Sequence, residues 1–574
     1  MGITITPGSS STSFDGSDDN KSFLTQEARF GFLNNFKSSI DRDLIALYAF
    51  YGRPTPFDPD SPADFPLPTN AILDNLNTRK SITALRKIRK SETRVAFKKH
   101  VWTSGTVYSQ YSNRIDLSSI SENEPFYVIA DNGKVYKCID NNNGAASINK
   151  PDSQDTGIFN TDDGYKWKLL ISYGASTLIK FDTETHLPLP AGEDDVIKSK
   201  DGGQVDRIDF KDSDASKGIY PNLSEVPFFV DGDGDTSTTA FAEMRITNIP
   251  ATGALQIDNL ELTSGGADYF LDTDPAHYQK VPVKFRLKTS ELQVSEFEDL
   301  NITSAYGLAT INQVTRTVES VEVIDPGGGY IAGAKVQLVQ SSSIIYGKIN
   351  NDGQLTTFDI IKAGNGFKSA SLISVINRAI GSAVTAADDN LNVIISPPEG
   401  HAGNLQKELN ASSLFINVRI SAQSGDFTTG NDFRQVGIIQ NPLKFNNSSD
   451  VLTDTTADAK YSCTLVIDDN STVEADDIIE GQVSGTRAIL IDFKDTAPNE
   501  RVIRYILSAE QSSTARLQAG ETVLIKGKTF TIKANSLVNP EVDAFSGDIL
   551  FINNSDPIQR ELNQIETLNF IIEF

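Results

Sequence analysis

Cysteine is almost missing from these 574 residues: Cys138 and Cys463 are the only two, far apart and in unlike surroundings, so neither a disulfide framework nor a zinc cluster is expected. Stability must come from burial. Histidine is scarce as well, and none of His100, His186, His277 or His401 stands beside a nucleophile or at metal-ligand spacing. No serine occupies a nucleophile elbow, and no glycine loop carries the lysine of a phosphate-binding loop. The acid pairs Asp194-Asp195 and Asp476-Asp477 read as solvated loop residues, because glycoside hydrolysis needs two carboxylates facing each other across a cleft.

Basic residues are in deficit, 51 Lys and Arg against 76 Asp and Glu, for a net charge of -25. A general nucleic-acid binder needs the opposite surplus. No apolar run approaches the length of a membrane span, and no charged-then-apolar leader is present, so synthesis in a cytoplasm is expected. Met1 to Thr6 fits the short myristoylation pattern, but nothing basic or apolar beside it supports an anchor. No catalysis and no cofactor is expected.

The chain is long enough for several domains, and 39% hydrophobic residues can supply their cores. Asp131-Asn132-Gly133 lies between two alternating segments, 126–130 and 134–140, which predicts a β-hairpin. After an Asn141 to Gly144 turn, Tyr165, Trp167, Leu169 and Ile171 fall on one face of a further strand, with Lys166 and Lys168 on the other. Residues 1–21 are rich in Ser, Gly, Asp and Thr, which predicts an extended or mobile arm that orders only against a partner. Leu33, Phe36 and Ile40 predict a helix over 25–40, followed by a strand over 44–51. Beyond a proline-rich loop, Ile72, Leu73 and Leu76, then Ile82, Leu85 and Ile88, predict two helices with Ser81 as a cap.

The second of these helices is strongly basic, and Arg86, Lys87, Arg89 and Lys90 are its candidate partner-binding residues. A solvated face is the plain alternative; a surface for an acidic neighbour, another copy of this chain included, is the sharper one.

Residues 183–220 read as a boundary, and an internal repeat follows. Ser320 to Tyr330 with its sequel to Leu338 aligns with Thr357 to Phe367 and its sequel to Val375, and Leu260 to Tyr269 is a weaker third copy. Each copy predicts a strand, a glycine turn, an aromatic lid and another strand. Asp231, Asp233 and Asp235 resemble the start of a calcium loop, but Thr236 stands where glycine is required and Ala242 where the closing glutamate belongs, so a turn is the preferred reading. Residues 444–545 hold short barrel-like strands. Leu568, Phe570, Ile572 and Phe574 alternate, predicting a buried strand.

The segment Val135 to Asp140, a long loop, and Asp162 to Leu170, in that order, resemble a baseplate wedge protein of T-even-type contractile-tailed bacteriophages. Blocks at 25–57, 100–182, 426–443 and 546–574 carry the resemblance, including Tyr48 to Phe57 and Asn431 to Leu443. It covers a minority of the chain, and two large β-rich stretches, roughly 185–420 and 444–545, depart from it.

The resemblance implies a mainly β fold: a layered β-sandwich core with a few peripheral helices, built from 22–184, 421–443 and 546–574, with inserted modules at 185–420 and 444–545. It also implies a homodimeric structural component of the virion's tail baseplate. Such a protein is assembled in the host cytoplasm, binds other baseplate wedge proteins, and rearranges on tail contraction. The alternative is a host-surface or carbohydrate-binding tail protein acting through the Gly-Gly-Tyr repeats, Tyr269, Tyr330 and Phe367 being either sugar-stacking rings or lids on their own turns.

Overall fold

The computed structural model describes residues 2–5, 25–58, 65–69, 71–115, 124–191, 194–198, 202–211, 217, 225–232, 243–248, 259–264, 280–287, 304–327, 335–351, 354–375, 388–421, 427–429, 431–446, 449–468, 472–512, 514–561 and 564–574. The fold is mainly β, and the chain forms two compact units, each described by itself. The first comprises residues 1–98, 179–189 and 410–574, and the second 99–178 and 190–409. Residues 99–178, expected with the first core, therefore cluster with the repeat-bearing segment.

In the first unit the two ends of the chain interleave. One sheet runs Thr456–Asp458, Ile82–Lys87, Leu47–Gly52, Asp432–Gln440, Asp548–Gln559, and the other runs Gly2–Ile5, Ile565–Glu573, Ser413–Ser421, Thr93–Lys98, His186–Pro188. Leu47, Ala49 and Tyr51 from the first meet Leu414, Ile416, Leu568 and Phe570 from the second in one buried core. Leu33 and Ile40 of the helix Gln26–Asp41 join that core, and Thr25 caps the helix by accepting the Ala28 N–H at 3.2 Å. Tyr48 and Phe50, on the opposite face of Leu47–Gly52, pack with Leu85, Leu452 and Val542. Both faces of this strand are therefore buried, which removes the alternation that a half-exposed strand would show.

Double burial also explains a correction. Ile82, Leu85 and Ile88 do not lie on a helix: the helix Ile72–Ser81 ends with Ser81, and Ile82–Lys87 is a strand, followed by a 3-10 turn over Lys90–Glu92 and the strand Thr93–Lys98. A spacing of three arises in Ile82–Lys87 because nearly every position is interior, not because one helical face is apolar.

Residues 461–532 close into a barrel in the order Tyr461–Val466, Glu500–Leu507, Arg487–Ala497, Ile478–Gly481, Thr522–Ile525, Lys528–Ile532. Leu465, Ile479, Leu490, Ile503, Val523 and Ile532 fill it.

In the second unit the predicted hairpin is present: Tyr127–Ile129 pairs with Lys134–Asp140 across Gly133, whose φ is +72°. Lys166–Ser172 pairs on the other side of Lys134–Asp140. The expectation of one core face and one lysine face is corrected here. Lys168 and Leu170 are as buried as Trp167 and Leu169, and the Lys168 ammonium donates to the Thr156 carbonyl.

The internal repeat is structural. In a six-stranded sheet Val318–Asp325 pairs with Ala305–Ile311, which pairs with Lys280–Leu287, which pairs with Lys335–Gln340, all antiparallel. A separate sheet repeats this order with Leu355–Ala363, Ser343–Ile349, Glu225–Asp231 and Ser371–Ser374. Gly307 and Gly347 occupy corresponding strands, and a Cβ on either would sit within 2.7 Å of a phenylalanine ring, Phe285 or Phe228. The third copy contributes Asn259–Ser264, at the far edge of the six-stranded sheet. Tyr269 and Tyr330 lie outside the described residues.

Candidate functional site

The densest cluster of titratable side chains lies in the second unit and is assembled from segments remote in sequence. Lys137 sits in mid-strand and is fully buried, on the face opposite the Tyr136 and Cys138 core. Its ammonium donates to Glu408 Oε1 at 2.6 Å, lies 3.2 Å from His401 Nδ1, and stands 3.6 Å from the centre of the Tyr111 ring. The other ring nitrogen of His401, Nε2, is 2.8 Å from Asp206 Oδ2. Glu408 also accepts the Ala402 N–H at 2.6 Å, on a residue whose φ of +63° turns the chain sharply between the two.

Charge balance governs the cluster. Burial draws the Lys137 amine below the ordinary lysine value. The same burial works against ionised Glu408, yet the ammonium and the imidazole beside it hold its carboxyl down to about 2. For His401 burial again opposes the charge, and Asp206 overrides it, so its pKa is raised. With His401 protonated, two cations face two carboxylates and the net charge is zero. Such a closed network joins Lys134–Asp140, Val205–Phe210 and the segment 401–408, and its chemistry is that of a lock: every partner is another member of the chain.

Arg207 reinforces the lock by donating to the carbonyls of Tyr111, at 3.1 Å, and Ile139, while pairing with Asp209 at 2.6 Å. Neighbouring Cys138 lies in the interior, where burial pushes its thiol far up and keeps it unreactive.

The partner-binding candidates are dispersed by the strand geometry. Arg86 is turned inward onto Glu92 at 2.7 Å, and Lys87 reaches Asp43 at 3.4 Å. Only Arg89 and Lys90 of the four stand exposed, side by side at the start of the 3-10 turn. From the same basic run, Lys80 donates to the carbonyls of Ala509 and Gln511, and Arg94 stacks over Phe181.

Both acid pairs have structural duties. Asp195 braces a turn by accepting from Gly174 N and Thr177 Oγ1, and Asp477 accepts from Glu474 N and pairs with Lys526. Asp231 is engaged by Lys284 at 2.7 Å, whereas Asp233 and Asp235 lie outside the described residues. Among the described residues no group of three His, Cys, Asp or Glu is placed to hold a metal ion, and no helix is long and apolar enough to cross a membrane.

A shallow cleft of about 280 Å³ occurs in the first unit, lined by Tyr51, Phe427, Asn431, Phe433 and Arg560 among others, well away from the ionic cluster's own elements. Its dimensions fall at the bottom of the range for small-molecule sites. Sequence reasoning missed the ionic cluster. The one available signal was a lysine placed between Tyr136 and Cys138 in an otherwise apolar strand. No known protein family matches the chain, and no curated protein is recognisably similar to it in sequence.

Proposed function

We propose that this chain is a structural component of a phage tail baseplate wedge, acting by holding neighbouring wedge subunits and moving with them when the tail contracts. One observation carries the reading. Of the four blocks that resemble such a protein, three fold together: Leu47–Gly52 pairs with Asp432–Gln440, which pairs with Asp548–Gln559, and the helix Gln26–Asp41 packs into the same core as Phe570. Blocks separated by hundreds of residues thus become adjacent strands of one sandwich, as a shared scaffold requires. Residues 100–182, the fourth block, supply the Tyr127–Ile129, Lys134–Asp140 and Lys166–Ser172 sheet of the second unit.

The carbohydrate-binding alternative loses one of its three rings. Phe367 is 1% exposed and packs against Val205, Val226 and Leu372, so it serves as a lid on its own turn. The baseplate reading is tested by tagging the chain, purifying the tails it assembles into, and pulling down its neighbours. Co-purification with other wedge proteins is expected; a chain absent from tails and bound to no tail protein refutes the reading.

A further inference from the structure

One sheet edge in the first unit is only partly guarded, and we propose that it is a self-association surface taking the same strand of a second copy. The strand is Ile565–Glu573, nine residues long, held on one side by Ser413–Ser421 over its whole length. On its other side the described residues place only the four-residue strand Gly2–Ile5, in register from Gly2 opposite Asn569 to Ile5 opposite Ile572. Ile565 to Leu568 have no second strand partner among the described residues, and Ile565 is 52% exposed. A long edge carrying Leu568, Phe570 and Ile572 is the kind that proteins keep covered, because its free N–H and C=O groups template pairing with another chain.

The guard is weak for two reasons. It is the one parallel pair among the described strands, and parallel pairing is less stable per residue than antiparallel. It also joins the helix at Thr25 only through residues 6–24, a stretch rich in Ser, Gly and Asp.

The occupant follows from self-complementarity. A second Ile565–Glu573 strand placed antiparallel about a two-fold axis at Asn569 sets Leu568 opposite Phe570, Thr567 opposite Ile571, Glu566 opposite Ile572 and Ile565 opposite Glu573. All nine residues find a partner and no two like charges face each other. The contact is isologous, so it closes at a dimer and cannot propagate into a fibre. Gly2–Ile5 then acts as a displaceable cover, and its release makes the edge available. This goes beyond the baseplate reading and does not depend on it.

The test compares the full chain with one lacking residues 2–5, by light scattering over a concentration series. The shortened chain is expected to dimerise at a concentration roughly tenfold or more lower. Ile3→Pro in the full chain, which removes a backbone donor from the guard and leaves the acceptor sheet whole, carries the same expectation if the shortened chain fails to fold. Asn569→Cys in the shortened chain should give a covalent dimer on oxidation, because directly opposed Cα atoms lie about 4.5–5.5 Å apart in antiparallel pairs, within disulfide reach. Native Cys138 and Cys463 are buried and give no background. Equal association of guarded and unguarded chains, or a folded Asn569→Cys chain that stays monomeric under oxidation, overturns the proposal. A chain that binds wedge proteins yet ignores the loss of residues 2–5 would sink the edge and leave the functional reading standing.

Discussion

Replacing Glu408 by Gln leaves a fully buried ammonium without its carboxylate, and the cost of that change can be worked from the geometry. Lys137 and Glu408 are both almost completely buried and 2.6 Å apart, so the variant strands Lys137 beside a protonated His401, with Asp206 already committed to the ring. Breaking one side of a buried pair costs about 3–5 kcal/mol. Lys137→Met should fall at or below the lower end, because His401 Nδ1, 3.1 Å from Glu408, still compensates the carboxylate. The double variant Lys137→Met/Glu408→Gln retains His401 opposite Asp206 as a balanced pair, so its cost should be nearer 1–2 kcal/mol than the sum, a coupling of at least about 2 kcal/mol. The assay is selective, since the chain's two tryptophans, Trp102 and Trp167, both belong to the second unit and Trp167 is fully buried. Denaturant unfolding followed by tryptophan fluorescence therefore reports the unit that holds the cluster. Strict additivity, or a loss below about 1 kcal/mol for Glu408→Gln, would show that the cluster is not an energetic unit.

Acid should unfold the second unit through the same carboxylate. Because the folded pKa of Glu408 lies below its unfolded value, its stabilisation is present above about pH 4.5 and is lost as pH falls toward 2. Raised His401 gives the opposite limb, with stability present below its unfolded pKa and lost as pH rises through the folded one, so tryptophan-monitored stability should be greatest between the two and Glu408→Gln should flatten the acid side. In the first unit, Phe570→Ala removes a fully buried ring from the sandwich core and should cost about 3–5 kcal/mol by calorimetry; an unchanged transition would refute the placement of that strand. Glu521 in the barrel accepts from Ser484 N at 3.0 Å, from Val483 N at 3.2 Å and from Gln518 N. Glu521→Ala should cost about 1.5–3 kcal/mol and raise amide exchange at Val483 and Ser484, while unaltered protection there would contradict the assignment.

What could be read from residues alone follows one physical line: elements with one wet face announce themselves, and elements buried on both faces do not. The helix at Gln26–Asp41 keeps Leu33 and Ile40 inside and its remaining surface largely outside, so its spacing was legible, as were the Asn132-Gly133 turn and the alternation ending at Ile572. Ile82–Lys87 lies between two neighbours with both faces covered, and its apolar residues then fit a helix as well as a strand. The ionic cluster was hidden for a related reason. Lys137 in a strand, Asp206 in another, and His401 and Glu408 around a short helix meet only because three segments converge, and no spacing along the chain encodes that meeting. The repeat was legible as sequence, but its consequence was not: each glycine turn separates strands that do not pair with each other, and each copy is completed by a strand from elsewhere, Lys280–Leu287 in one sheet and Glu225–Asp231 in the other. A chain that completes its sheets with distant strands throughout, as Gly2–Ile5 does against Ile565–Glu573, is built for exchange of strands at its edges, and the least protected of those edges is where a second copy should first be sought.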